Sequence, residues 1–254
     1  MGLQDDITPL LITFDEIQNI ARTLGRLGWA KRIVVVDSGS TDGTLEFLAK
    51  DQRVEVYHRP FDSFAEQCNF GLSLVSTEWV LSLDADYELS DELTASLAAL
   101  RPAADAAGFR ARFIYRIHGR PLRGSLYPPR TVLYRVRGAR YDNEGHGHRV
   151  RVQGKISALG GVIFHDDRKP LARWFAAQSK YAAIEASHLL KAEPAELSFV
   201  DRVRRWGWPA PFLVVAYVLI VKRALLDGRA GWFYAFQRLC AEVLLALELL
   251  DRRL

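Results

Sequence analysis

Asp84 and Asp86, separated by Ala85, follow directly on the apolar run Trp79 to Leu83. The run reads as a buried strand. The acids then sit where a strand leaves its sheet, which is where open α/β sheets bind ligands. Two carboxylates held this close disfavour each other's charge unless a cation stands between them. A divalent ion carrying a substrate diphosphate would be such a cation, since hard cations prefer carboxylate oxygens. A solvated surface turn accounts for the same three residues. Three other stretches carry reactive side chains. Asp37-Ser38-Gly39-Ser40-Thr41-Asp42-Gly43-Thr44 ends a second apolar run, Arg32 to Val36. Asp142-Asn143-Glu144-Gly145-His146-Gly147-His148 places two histidines and two acids among glycines, which is either acid–base chemistry or a polar turn. His165-Asp166-Asp167-Arg168-Lys169 follows the apolar run Gly161 to Phe164. There Asp166 and Asp167 suit the N-cap of a helix opened by Pro170.

The elements that must position these residues follow from periodicity. Ile7 to Thr13 reads as a first strand, and Ile17, Ile20, Ala21, Leu24 and Leu27 share a helical face closed by Gly28. Strand, polar glycine turn and helix over residues 32 to 48 is the layout of a nucleotide-binding βα unit. Val54 to Tyr57 is a third strand. Ser63 with Glu66 forms a capping box for a helix carrying Phe64, Cys68, Gly71, Leu72 and Val75. Ser90 caps another, with Leu93, Leu97 and Leu100 inward. Strands alternating with helices predict a mainly parallel sheet covered on both faces. From Ala107 to about Asp167 β patterns dominate, interrupted by a Pro- and Arg-rich insert at 120–130. From Pro170 onward the pattern is helical.

The chain has 254 residues, 49% of them hydrophobic, enough for one sizeable core with an appendage. The net charge of +4 is too small to argue for nucleic acid, and none is expected as a partner. Two cysteines, Cys68 and Cys240, give neither a metal spacing nor a disulfide framework, which suits a reducing compartment. The first residues lack a basic segment followed by an apolar one, so no signal peptide is expected. Trp206 to Val221 is sixteen residues without a charge, short of the roughly 20 a full span needs. With the interrupted apolar stretch Trp232 to Leu250, it reads as helices lying on a membrane surface through residues 206–250, or as helices buried in a core or a homo-oligomer interface.

Taken together, Ile33 to Val36 with the Asp37–Thr44 turn, and the strand-terminal Asp84-Ala85-Asp86, resemble the family 2 glycosyltransferases of the GT-A fold. The likeness extends to the bacterial group that includes lipopolysaccharide core glucosyltransferases. It is strong over residues 7–100, moderate to about 170 and weak beyond. It implies a GT-A catalytic domain over 1–169, with a nucleotide-binding half at 1–100 and an acceptor half at 101–169. A helical, membrane-associated extension would follow at 170–254. It implies an inverting, metal-dependent transfer of a hexose from a nucleotide-sugar, a UDP-sugar by resemblance, to a glycolipid, lipopolysaccharide or polysaccharide acceptor. The enzyme would be peripheral on the cytoplasmic face of the bacterial inner membrane.

By the same resemblance Thr13, Asp15 and Glu16 border the nucleoside, although family members often carry Asn where Asp15 stands. Asp37 contacts base or ribose and Ser38 completes the turn. Asp84 contacts ribose or metal, and Asp86 ligates Mn²⁺ or Mg²⁺. Tyr87 stands where the family often has Glu. His165 completes the metal shell. His146 is the expected general base, with Glu144 as the alternative. Arg130, and with it Arg123, would clamp the diphosphate or an anionic acceptor, unless each is merely solvated. A catalytically silent sugar-nucleotide-binding protein and a nucleotidyltransferase are the competing readings. The second is weakened by the lack of a basic glycine-rich loop in residues 7–20.

Overall fold

The computed structural model describes residues 3–144, 147–195 and 197–254, with Glu144 described by its backbone alone. The chain divides into two compact units, residues 1–114 with 127–168, and residues 115–126 with 169–254.

The first unit is built on one sheet. Four parallel strands come first: β1 (Ile7–Thr13), β2 (Ile33–Asp37), β3 (Val54–His58) and β4 (Trp79–Asp84). Beyond β4 the partners are antiparallel: β5 (Tyr87–Leu89), β6 (Ala106–Ile117), β8 (Arg130–Arg135) and β11 (Lys155–His165). The order is β3-β2-β1-β4-β8-β6-β11-β5. The expected mixed sheet is therefore present, parallel in the nucleotide half and antiparallel beyond it.

Alternation along the strands explains why both faces are covered. Leu11, Ile33, Val35, Leu81 and Leu83 point to a core shared with α1 (Ile20–Gly25), α2 (Thr44–Leu48) and α4 (Asp91–Ala99). Leu10, Val34, Val36 and Val80 point to the other face, against α3 (Phe64–Leu74). There the hairpin of β9 (Arg140–Glu144) and β10 (Gly147–Arg151) adds Tyr141 and Val150. A run buried on both faces must be continuously apolar, as these runs are. Ser63 and Ser90 cap α3 and α4 as expected, accepting from the N–H groups of Glu66 and Leu93. The first helix begins at Ile20 rather than Ile17. Asp15 has φ 51°, and the N–H groups of Glu16 and Ile17 donate to Thr44 and Asp42, so the turn belongs to the β2 loop instead.

Cys68 lies in the α3 core, where burial first and the Asp84 carboxylate second push its thiol up; Cys240 is half-buried. Under native conditions a maleimide should therefore react with Cys240 and spare Cys68, the second thiol appearing only on unfolding. Mass spectrometry before and after denaturant measures this, and prompt double labelling of the folded chain would contradict the packing described.

The second unit contains the 115–126 segment, where the end of β6 pairs with β7 (Arg120–Pro121). Its helices are α5 (Leu171–Lys191), α6 (Phe199–Trp206), α7 (Pro209–Ala216), which continues as a π-turn over Tyr217–Val221, and α8 (Gly228–Asp251). Ala182, Ala186 and Leu189 of α5 pack with Leu245 and Leu249 of α8. Arg204 of α6 ties these helices together through Glu185 at 3.1 Å and Glu242 at 2.9 Å. The N–H and guanidinium of Arg123 both meet Asp227 (3.0 and 3.2 Å), so this residue is a structural latch and not the expected clamp.

Candidate active site

Register brings the acids together. In the parallel ladder Thr13 pairs with Asp37 and Ile12 with Asp84, so both acids leave the sheet at the carboxyl edge on either side of β1. This edge lies at the switch point, where connections diverge and a crevice forms.

The Asp37 turn is self-organised. One carboxylate oxygen accepts from the Gly39 and Ser40 N–H groups, both at 2.8 Å. The other accepts from the hydroxyls of Thr13 at 2.9 Å and Ser40 at 2.5 Å. With its acceptor sites thus filled, buried Asp37 shapes the loop. Ser38 donates its N–H to the Thr13 carbonyl and accepts from buried Gln67. Asp15 is locked to the same loop: its N–H donates to Ser40 (2.7 Å) and its carboxylate accepts from Thr41 N–H (2.7 Å). Glu16 turns inward and accepts from Asn19 at 2.8 Å. Thr13, Asp15, Asp37 and Ser38 thus converge on one edge, while the Glu16 carboxylate points into the interior.

Asp84 is half-buried, and its carboxylate makes no hydrogen bond or ion pair among the described residues. Arg130 is half-buried too and, by the same measure, makes none, although its guanidinium lies 4.7 Å from the centre of the Tyr127 ring. Burial works against the Arg130 charge, and Tyr127, Tyr87 and the Asp84 carboxylate outweigh it. Two opposite charges, each without a direct partner in one region, suit a polar ligand that contacts both.

Asp86 is buried and meets His165 Nε2 at 3.0 Å. Residues 79 apart in sequence are joined because the three-residue β5, directly after Asp86, pairs with the end of β11, with His165 opposite Tyr87. The His165 ring packs on edge against Tyr87 (5.2 Å) and Tyr127 (4.9 Å), whose hydroxyls bond each other. Burial opposes charge on His165, but Asp86, Asp84 and Asp167 raise its pKa overall. Tyr87, standing where the resemblance puts Glu, is therefore a packing wall for the histidine.

A divalent ion fits this donor set. Among the described residues no three His, Cys, Asp or Glu side chains converge as a closed cage. Asp86 and His165 do converge, with Asp84 beside them, and one or two protein ligands are what Mg²⁺ or Mn²⁺ uses when substrate phosphates supply the rest. The imidazole favours Mn²⁺.

Asp166 is not a helix cap, as the sequence suggested: α5 starts at Leu171 behind Pro170, and Asp166 is fully buried. It pairs with Arg168 (2.7 Å) and Arg22 (3.6 Å), and Arg22 also approaches Glu88 (3.6 Å). Arg22 further donates to the Asp166 carbonyl (2.7 Å) and to Asn19 (2.7 Å), and Asn19 accepts from Arg168 N–H (3.1 Å). This network anchors the chain directly after His165 to α1. It was invisible in sequence because its members are far apart and individually ordinary.

His146 and the Glu144 side chain, the two expected bases, lie outside the described residues. Of that stretch His148 is described. It stacks on Phe64 (5.6 Å) and meets the tilted ring of Tyr141 (5.2 Å). Burial lowers its pKa; Asp84 opposes the shift and Arg130 adds to it. The sign follows from linkage. A folded-state pKa below the ordinary 6.5 means protonation favours the unfolded chain, so stability is full above about 6.5 and declines as pH falls below it. The melting temperature should drop more between about pH 8 and pH 5 in the wild type than in His148→Phe, which keeps the stacking. Equal slopes in thermal melts would refute this.

A sheet parallel at its nucleotide end, a glycine turn after β2, and an acid pair answered by a histidine returning from the antiparallel half define the GT-A class of nucleotide-sugar transferases. Residues 10–152, more than half the chain, match the model of glycosyl transferase family 2. The chain belongs to that family and is a glycosyltransferase. An uncharacterized glycosyltransferase of Rickettsia bellii is 24% identical over 93% of this chain and 86% of its own. The lipopolysaccharide core biosynthesis glycosyltransferase LpsC of Rhizobium meliloti is 27% identical over 73% of this chain and 72% of its own. The structure of S. aureus TarS in complex with UDP-GlcNAc superposes with a TM-score of 0.50, at 15% identity over 98% of this chain and 91% of that one, which shows the common fold.

Proposed function

We propose that this enzyme transfers a hexose from a UDP-sugar to a lipid-linked, lipopolysaccharide or polysaccharide acceptor, with inversion and with the help of Mn²⁺ or Mg²⁺. Its place would be the cytoplasmic face of a bacterial inner membrane, bound peripherally. The observation that carries the reading is the Asp86–His165 pair at 3.0 Å beside Asp84 and Arg130. The likeness to LpsC supports the acceptor class. Uridine comes first because of the motif resemblance, and TarS, of the same fold, was solved with UDP-GlcNAc.

A divalent ion held by Asp86 and His165 would neutralise charge on the departing diphosphate. The chain's own residues do the remainder. The loop ordered by Asp37, with Thr13, Asp15 and Ser38, borders the nucleoside, and Glu16 supports it from within. Asp84, lacking a protein partner, is placed to accept from a ribose hydroxyl or to join the ion's shell. Arg130, over the Tyr127 ring, presents N–H donors to a phosphate or to an anionic acceptor. Inversion requires one displacement, so the base that takes the acceptor proton stands across the sugar from the leaving group. His146, with Glu144 as alternative, is the candidate for that base.

A thermal-shift and turnover screen of nucleotide-sugars, with and without Mn²⁺, tests the proposal. Stabilisation by a UDP-sugar that needs the ion, with release of UDP, is the expected result. Binding without any turnover in the presence of acceptor glycolipid would favour the catalytically silent reading. Release of pyrophosphate from a nucleoside triphosphate would favour the nucleotidyltransferase.

A further inference from the structure

Among the described residues of the second unit, the 209–221 helix presents a strongly exposed apolar face. From Pro209 to Val221 the helix carries no charged or amide side chain. Its inward side is satisfied, with Val218 fully buried against Ala224 and Tyr234. Its outward side is also apolar. Trp208, Phe212, Ala216 and Ile220 recur every four residues, with Leu213, Tyr217 and Val221 alongside, all exposed; Phe212 is 71% and Ile220 72% accessible. Leu225 and Leu226 continue the exposed stretch just beyond. An ordinary surface helix has a polar outer face, so an outer face this apolar calls for a covering.

Charge says what the covering is. Between Arg202 and Ala241 the chain has seven basic residues and one acid, Asp227, which Arg123 neutralises. Arg204 is spent on Glu185 and Glu242. Lys222 and Arg223 close the stripe, with Lys222 Nζ 5.6 Å from the centre of the Tyr217 ring, and Arg223 and Arg229 are exposed. Exposed Trp206 and Trp208 open the other end. Tryptophan and basic side chains at the borders of an apolar strip match the headgroup region of a bilayer. Among the described residues no single helix is long and apolar enough to cross a membrane. Thirteen helical residues reach about 20 Å, short of the roughly 30 Å hydrocarbon core. α8, which follows after a 70° bend, packs along α5 and α7 rather than continuing the line of this helix.

We propose that the outward stripe of the 209–221 helix, bordered by Lys222, Arg223 and Arg229, docks this enzyme in the plane of an anionic bilayer surface. This rests on the proposed membrane-bound acceptor, and it narrows the sequence expectation of 206–250 to one helix face. The test is flotation of the purified full chain with vesicles of phosphatidylcholine alone and of equal parts phosphatidylcholine and phosphatidylglycerol. The wild type should float with the mixed vesicles and about tenfold less with the neutral ones. The double variant F212S/I220S should lose about tenfold or more on mixed vesicles, with unchanged melting temperature and unchanged release of UDP from the donor in solution. R223E/R229E should lose the preference for the anionic lipid. A wild type that does not float, or a serine variant that floats equally well, overturns the proposal. So does a wild-type dimer that F212S/I220S turns into a monomer, which would make the stripe an interface between copies. Because donor turnover is read separately, a failure of docking leaves the catalytic reading standing, and loss of turnover in the wild type strikes that reading alone.

Discussion

Asp86→Asn should cut sugar transfer by about 10³-fold, on the order of 4 kcal/mol of transition-state stabilisation, and leave the fold intact. Asn keeps the volume and one acceptor but not the charge. The loss has two parts. On the proposed reading the departing diphosphate would lose its counter-ion support, and His165 loses the anion that holds its ring at 3.0 Å. The surrounding wall of Tyr87 and Tyr127 is unaffected, so the side chain has no reason to unpack. The melting temperature should therefore stay within a few degrees of the wild type. The Mn²⁺ concentration for half-maximal activity should rise, and ion binding measured by calorimetry in the presence of UDP should weaken in parallel. Transfer at the wild-type rate, with the same Mn²⁺ requirement, would end the assignment of Asp86.

Gly161→Ala should destabilise the first unit by about 3 kcal/mol or more. Gly161 has φ 79°, and a Cβ there would stand 2.7 Å from the Leu93 Cα and 2.9 Å from the Leu93 Cβ. Leu93 is fully buried in the first turn of α4. That turn is stitched to β11 at the same place: Ser90 N–H donates to the Val162 carbonyl at 3.0 Å, and Val162 N–H to the Ser90 hydroxyl at 3.1 Å. The clash is with backbone, so no rotamer change relieves it; helix and strand must part. His165 lies four residues further along the same strand, so ion-dependent turnover should fall with stability. The neighbouring Gly160→Ala is the control. Its Cβ would meet only Ser96, at 3.4 Å and beyond, and should cost less than about 1 kcal/mol. Thermal and urea melts of both variants decide the matter, and two equal midpoints would show that α4 does not press on Gly161 as described.

The two predictions mark where the sequence was and was not legible. The parallel half could be read directly. β1, β2 and β4 are unbroken apolar runs because both faces of a covered strand are buried, and each ends in the residues that meet at the sheet edge. The serine caps of α3 and α4 could be read because capping is local chemistry. The Asp37 turn and the Asp84/Asp86 pair were identified as the site for the same reason: their spacing along the chain is their spacing in space.

What could not be read depends on contacts between distant segments. Gly161 looks like any glycine in a strand until α4 is laid across it. Asp166 looked like a cap until Arg22 and Arg168 enclosed it. Arg123 looked like a phosphate clamp until Asp227 took it. Three-residue β5 is too short to show any periodicity, yet its pairing with β11 is what carries His165 to Asp86. The apolar 206–221 stretch shows no sidedness in its sequence, because both faces of that helix are apolar; only packing decides which side is filled by Val218 and its neighbours and which stays bare. The sequence by itself determined the strand order of chemistry: the family motif, the acids, the histidines and the glycine turn. The tertiary structure decided which acid meets which base, because hydrogen bonds and ion pairs act over a few ångströms and only the folded sheet brings residues 79 positions apart within that range.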